Sequence, residues 1–396
     1  MAVSEVRASV SSQCALMICV CLSFFSMPVG TAPLTICSLA ALAVWLLSGS
    51  CCRDRARWLD QEWRLPLFAL VLLPWLALLW TPLPAAQAVR FAERSHYWLF
   101  AFVAASALTS ERTVRNVLTC FVSGTAIIAF IRFLHFHGII SQTTYLHRAF
   151  FNSYITFSLL VVIAIALLGY FYRDTSSQTG RFVILVLMIG FVLALTELNG
   201  RSGYLALALL SPWICSAMFG RCRLIAILCG LLLLGTLMLT SHRVRERVAL
   251  VPAEIEQYYQ SGGHSESSVG DRLMIWGDAL KIFMQHPLVG AGTGAFQLEA
   301  NRINPANKFP HPHNSYLYIA ANFGLLGIVL YGWCCLVRLK GAWRDRWNLS
   351  GSSTLAFPAV ILIGSLTDTQ VLSTATGIAL GFVVGIPTPE ARSCAS

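Results

Sequence analysis

Apolar residues fall in long unbroken runs along this chain, and polar positions collect in short clusters between them. A run of roughly 17–25 apolar residues crosses a bilayer as a helix, and somewhat fewer suffice where flanking side chains snorkel. Twelve such spans are read, at about 13–30, 31–49, 65–81, 95–109, 117–136, 153–172, 182–198, 203–219, 224–241, 314–337, 353–369 and 371–387. The runs are solidly apolar rather than alternating, which argues against an outer-membrane barrel. The first run has no convincing small-residue cleavage site and leads straight into the second, so it reads as a retained span. The pattern predicts an all-α polytopic membrane protein. Residues 1–241 carry spans one to nine, 242–313 form one long loop with two or more helices, 314–387 carry spans ten to twelve, and 388–396 form a tail.

Composition sharpens this. The chain has 396 residues, 56% of them hydrophobic and only 12% charged, where a soluble domain carries about 25% charged residues. That excludes a soluble enzyme, a disordered chain and a secreted disulfide scaffold. The net charge of +10 fits either the positive-inside rule or the handling of anionic lipid and phosphate, and the positions decide. With the N-terminus inside, sixteen Lys and Arg fall in cytoplasmic segments. Only Arg90, Arg94, Arg132, Arg148 and Arg201 fall in short outer segments and their span ends. Both termini are then cytoplasmic and the long loop is periplasmic, with seven cations against seven carboxylates. None of the 13 Cys lies in that loop, so an oxidising compartment gains no disulfide framework there. The nine His do the reverse and gather at or near the outer side. Two readings of that bias stay open, an interfacial preference or proton chemistry at the outer face.

Two helices are expected in the loop. The first covers 243–260, with Pro252 kinking or splitting it. The second covers 268–285, where Leu273, Trp276, Leu280, Phe283 and Met284 recur at helical spacing, with Ser267 or Ser268 as N-cap. That stripe is expected to rest on the membrane domain or on lipid. Gly290, Gly292 and Gly294 then form a turn that can offer backbone N–H groups to an anion. It is not a Walker loop, because no Gly-Lys-Ser/Thr follows.

The candidate chemistry lies at the outer edge. His311-Pro312-His313-Asn314-Ser315 closes the loop and opens span ten. A helix N-terminus favours anions and the neutral imidazole, the form a general base needs. The alternative is an interfacial capping histidine. His-Pro-His also offers two metal ligands, but no third has a clear spacing, so no metal site is assigned. Arg201 sits in a hairpin between two spans, either as a phosphate ligand or paired with Glu197. Arg272 lies in the first turn of the second loop helix, where a cation does not complement the dipole. His147 and Arg148, before span six, are a weaker pair of the same kind, and Asn314 is placed to cap the span or orient the ring.

These residues resemble a family. His313-Asn314, then nine residues to Gly324 and two more to Gly327, resembles the signature of bacterial O-antigen ligases. Arg201 and Leu205 resemble that family's Arg-x-x-x-Leu motif, and Asp271-Arg272 through Trp276 and His286-Pro287 to Gly292 and Phe296 resembles the core of the wider ligase/polymerase superfamily. The Asn-Gly before Arg201 departs from the pattern, where a small or hydroxyl residue is expected.

The resemblance implies a GT-C-like, inverting glycosyltransferase of the inner membrane, without metal or other cofactor. It would move O-antigen polysaccharide from undecaprenyl pyrophosphate to a sugar hydroxyl of lipid A–core at the periplasmic face. His313 would be the general base, with Arg201 and Arg272 clamping the pyrophosphate. The partners are those two substrates and membrane lipids, with no nucleic acid. An O-antigen polymerase or a protein O-oligosaccharyltransferase uses the same donor on another acceptor. A transporter of lipid or polysaccharide is the reading of a different class, but transporters hold their ionisable residues near the midplane, not beside an outer loop.

Overall fold

The protein was analysed as a computed structural model, which describes residues 2–140, 152–198, 200–219, 242–261 and 267–387, with isolated positions between 224 and 235. The described residues form helices and no strand. Five helices are long and apolar enough to cross a membrane: Glu111–Phe136, Tyr154–Asp174, Gln178–Glu197, Ser202–Phe219 and Ser315–Arg344. Shorter apolar helices lie at Ser11–Ser26, Thr31–Leu47, Arg64–Leu79, Leu349–Gly364 and Thr374–Val384. The chain is thus a multi-pass membrane protein, but the expected count of twelve spans is not reproduced. Span 224–241 lies outside the described residues except at isolated positions. Span 95–109 is not one α-helix: a 3-10 segment, Glu93–Leu99, feeds the short helix Phe100–Ala107. A 3-10 turn rises about 2.0 Å per residue against 1.5 Å in an α-helix, so these residues still reach roughly 25 Å.

Tyr154–Asp174 is the hub. It is buried over most of its length, between Glu111–Phe136, Gln178–Glu197, Arg201–Phe219 and Leu349–Gly364. Its start is set by Ser153, whose hydroxyl accepts from the Thr156 N–H. Close helix approach relies on small residues: Gly200 and Gly203 face Ser158, and Gly364 faces Leu159. Gln178–Glu197 is the outermost of the five, with Phe182, Ile189 and Leu193 all more than half exposed, an apolar face suited to lipid.

The loop contains both expected helices, His242–Gln260 and Ser268–Gln285, and a third, Phe296–Ile303. His242–Gln260 continues through Pro252 as one helix, so the proline does not split it. Ser267 caps the second, accepting from the Gly270 N–H at 3.1 Å. Its buried face is Ile275, Ala279 and Ile282, which join Ala291, Ala295, Phe296 and Ala300 in a small core that closes on Ala321 of the long helix. Leu280 and Met284 are exposed.

Candidate active site

The loop meets the helix Ser315–Arg344 at its first residues. Trp276 on the second loop helix donates its indole N–H to the Pro312 carbonyl at 3.0 Å. His313 follows in the left-handed region, φ 48°, a conformation that costs a non-glycine residue free energy and survives only where its surroundings hold it. Here they do. The Asn314 N–H donates to the Thr369 hydroxyl at 3.2 Å and the Ser315 N–H to the Ser365 carbonyl at 2.9 Å. Asn314 is the N-cap, accepting from the Leu317 N–H at 3.0 Å, and its amide donates to the Leu366 carbonyl at 3.1 Å. The turn Ser365–Thr369 therefore grips the chain immediately after His313.

That turn supplies a residue the sequence reading missed. Asp368 Oδ1 lies 2.9 Å from His313 Nδ1, and Asp368 Oδ2 accepts from the Gln370 amide at 3.0 Å. Burial acts to raise the Asp368 carboxyl, but the hydrogen bond from His313 and the Thr369 N–H help to outweigh it, and it sits below the ordinary carboxylate range. An ionised Asp368 holding Nδ1 leaves Nε2 as the ring's free nitrogen. Asp368 is 55 positions from His313, at no spacing that a motif could carry.

His311 is a neighbour of different character. Its ring lies 4.4 Å from that of His313 by centroids, and its Nδ1 is 3.2 Å from the Thr369 hydroxyl. Burial first, then the charges of His313 and Arg94, push its value down to about 4, against an upward pull from Asp368. It is therefore neutral at any physiological pH. His311, His313 and Asp368 offer ligand atoms within 4.8 Å of one another, so the third metal ligand absent from the local spacing is present in space. Both Asp368 oxygens accept hydrogen bonds here, from His313 and from Gln370, the arrangement of a carboxylate that orients a base.

The two arginines differ in what can be said. Arg272 donates through Nη1 to the Ser268 hydroxyl at 2.9 Å and the Ser268 carbonyl at 3.3 Å. Its neighbour Asp271 is raised by burial against the charges of Arg272 and His313, which places this first helical turn within electrostatic reach of His313. Arg201 opens the helix Arg201–Phe219; its side chain, and all of His147 and Arg148, lie outside the described residues. The backbone still places Arg201 informatively. The next residue, Ser202, shares a 2.5 Å hydrogen bond with Thr367, and Thr367 adjoins Asp368. Glu197, which the alternative reading pairs with Arg201, has an oxygen 3.5 Å from His137 Nε2.

Most N–H groups of the glycine turn are taken up inside the protein. The N–H of Gly290 goes to the His286 carbonyl, that of Ala291 to Ala321, that of Gly292 to Asn322, that of Thr293 to Ala77 and that of Ala295 to Gly292. The turn is a latch. The long helix breaks at Gly324, φ 61° and ψ −155°, and the N–H groups of Leu325 and Leu326 donate to the carbonyls of Pro287 and Leu288.

Residues 183–332 match a family described as O-antigen ligase. The matched segment contains Arg201, Arg272, His313, Gly324 and Gly327; Asp368 lies beyond its end. No curated protein gives a significant match.

Proposed function

We propose that this chain, a multi-pass membrane protein with an O-antigen ligase-family domain over residues 183–332, transfers O-antigen polysaccharide from undecaprenyl pyrophosphate to a sugar hydroxyl of lipid A–core. The observation that carries the chemistry is the 2.9 Å bond between His313 Nδ1 and Asp368 Oδ1. With Nδ1–H donated to the carboxylate, Nε2 carries the lone pair and accepts the proton of the acceptor hydroxyl. The deprotonating oxygen attacks the anomeric carbon of the donor sugar from the face opposite the pyrophosphate. The carbon–oxygen bond to pyrophosphate breaks as the new glycosidic bond forms, and undecaprenyl pyrophosphate leaves with the electron pair. One displacement inverts the anomeric centre. Asp368 holds the ring and stabilises the imidazolium that forms, as a carboxylate does behind any histidine base.

The leaving group gathers negative charge, and the cations to meet it are Arg201 and Arg272. Arg272 stands on the helix whose Trp276 holds Pro312, and Arg201 stands one residue before the Ser202–Thr367 link to the same turn. A pyrophosphate is already a good leaving group, so neither nucleotide nor metal is required by this scheme. The reaction is assigned to the periplasmic face of the inner membrane, on the distribution of Lys and Arg along the chain.

The test is transfer in vitro by the purified chain from a polyprenyl-pyrophosphate glycan, with lipid A–core, a second donor molecule and a pilin-like peptide as alternative acceptors. A covalent glycan on lipid A–core is the expected product. Lengthened donor or glycosylated peptide instead would make the enzyme a polymerase or a protein glycosyltransferase, and glycan moved across vesicles without a covalent product would make it a transporter.

A further inference from the structure

A histidine base needs one imidazole and one carboxylate to hold it, and at the start of the long helix there is a second imidazole. His311, His313 and Asp368 each offer a ligand atom within 4.8 Å of the others. The two rings lie 4.4 Å apart by centroids and are tilted by 64°, and Asp368 Oδ1 is 2.9 Å from His313 Nδ1. Ligand atoms about 2.0–2.1 Å from a tetrahedral ion stand roughly 3.3 Å from one another. The widest pair would have to close by at most about 1.5 Å to hold such an ion, a distance that side-chain rotation covers.

The three also have the outer partners that orient metal ligands. The Thr369 hydroxyl lies 3.2 Å from His311 Nδ1, and the Gln370 amide donates to Asp368 Oδ2, which leaves Oδ1 on the side of the rings. The side chains of His313 and Asp368 are 28% and 16% exposed, so an ion can reach them from water. The donor set selects among ions. Two imidazoles and one carboxylate suit zinc, with water in the fourth position, whereas magnesium and calcium call for oxygen ligands at six or more positions.

An ion in this place and a base at His313 exclude each other. A neutral imidazole has one N–H and one nitrogen lone pair. If the ion takes Nε2 of His313, it consumes the lone pair that would accept the proton of the acceptor hydroxyl. If it takes Nδ1, it opens the hydrogen bond to Asp368 and the ring's proton sits on Nε2. Either way His313 stops being a base. His311 takes no part in the transfer step, so it is the ligand whose removal separates the two roles.

We propose that His311, His313 and Asp368 form an inhibitory zinc site, in which Zn²⁺ held by the two imidazoles and the Asp368 carboxylate takes the base out of service. The inhibition rests on the proposed function; the binding does not.

The experiment reads binding and transfer separately. The full-length chain, purified in detergent without a histidine tag and stripped of metal by a chelator, is titrated with Zn²⁺ and, in parallel, with Mg²⁺. Binding is followed by calorimetry and by the rise in unfolding temperature that a ligand of the folded state produces. Wild type is expected to take up one tightly bound Zn²⁺, to lose transfer as it fills, and to recover when the chelator is returned; Mg²⁺ should do neither. His311→Gln should transfer within a few-fold of wild type in the absence of zinc. Its zinc affinity should fall by about a hundredfold or more, since even the outer partners of a metal ligand are worth about 10–100-fold, and inhibition should move to correspondingly higher zinc. His137→Gln removes the histidine beside Glu197, another place for an ion at the outer face, and should bind and be inhibited like wild type. Equal zinc affinity in wild type and His311→Gln overturns the proposal, as does zinc that binds through His311 and leaves transfer untouched. A chain that binds zinc through His311 yet transfers no glycan under any condition would overturn the proposed function and leave the zinc site standing.

Discussion

The loop is fastened to the helix Ser315–Arg344 twice, and the two fastenings are built from different parts of the polypeptide. At the helix start the joint is made by side chains: Trp276, Asn314, Asp368 and Thr369 hold Pro312 to Ser315. Near Gly324 the joint is made by backbone, with glycines at 290, 292 and 324 in the left-handed region and N–H groups exchanged between loop and helix. A side-chain joint leaves polar atoms such as His313 Nε2 over for chemistry. A backbone joint consumes most of its polar atoms and offers no titratable side chain. The first can therefore be a reaction site, whereas the second sets the position of the loop so that the first stays assembled.

If that division is right, damage to the two joints must show up differently. The largest effect is expected at His313. His313→Gln keeps a hydrogen-bonding side chain but cannot take a proton, and transfer should fall by about 10²–10⁴-fold with donor binding and thermal stability little changed. Asp368→Asn should cost a comparable amount, up to about 10⁴-fold, because an amide that donates to Nδ1 leaves the ring in the tautomer whose Nε2 carries the proton. Near wild-type transfer by His313→Gln between about pH 6 and 8 would make the histidine positional and move the search for a base to Asp271.

Gly324→Ala should do the opposite, lowering stability while sparing the chemistry of whatever folds. A Cβ there would lie 2.5 Å from the Leu288 carbonyl carbon and 2.6 Å from the Gly290 nitrogen, and φ 61° is strained for any side chain. The strain alone costs about 1–3 kcal/mol, and the clash adds to it. Thermal unfolding in detergent should show an earlier transition, with transfer per folded molecule within a few-fold of wild type. An unchanged transition with lost transfer would place Gly324 in the reaction site and dissolve the distinction between the joints.

How legible each joint was in the sequence follows from the same difference. His313, Asn314 and the loop helices were readable because their signals are local: a proline, a cap, a 3.6-residue period. Asp368 was not, because its relation to His313 exists only after two spans fold against each other. The glycine run read equally well as an anion cradle, since a turn that exposes N–H groups and one that hands them to a neighbouring helix have the same sequence. Only the break at Gly324 shows which it is. The second loop helix shows a related limit. Period identifies apolar faces but not which one packs inside the protein: Ile275, Ala279 and Ile282 do, and Leu280 and Met284 are exposed. The span at 95–109 was read from hydropathy, which does not register that Glu93–Leu99 winds as a 3-10 helix.

The smallest effect is expected at His311, which touches the side-chain joint without serving its chemistry. Its folded-state value of about 4 lies below the roughly 6.5 of an unfolded chain. The unfolded state therefore takes up a proton first as pH falls. The stabilisation is complete above about 6.5 and is lost progressively toward 4, amounting to at most about 2 kcal/mol between pH 7 and 5. His311→Gln removes the titration, so the variant's unfolding temperature should fall less than that of wild type over this interval. Transfer at pH 7 should stay within a few-fold, because His311 is already neutral there and Asp368 still holds His313. Parallel pH curves for the two proteins would mean that the acid sensitivity comes from the His313–Asp368 pair itself. A loss of transfer as large as that of His313→Gln would bring His311 into the reaction, and the three side chains would then need to be treated as one unit.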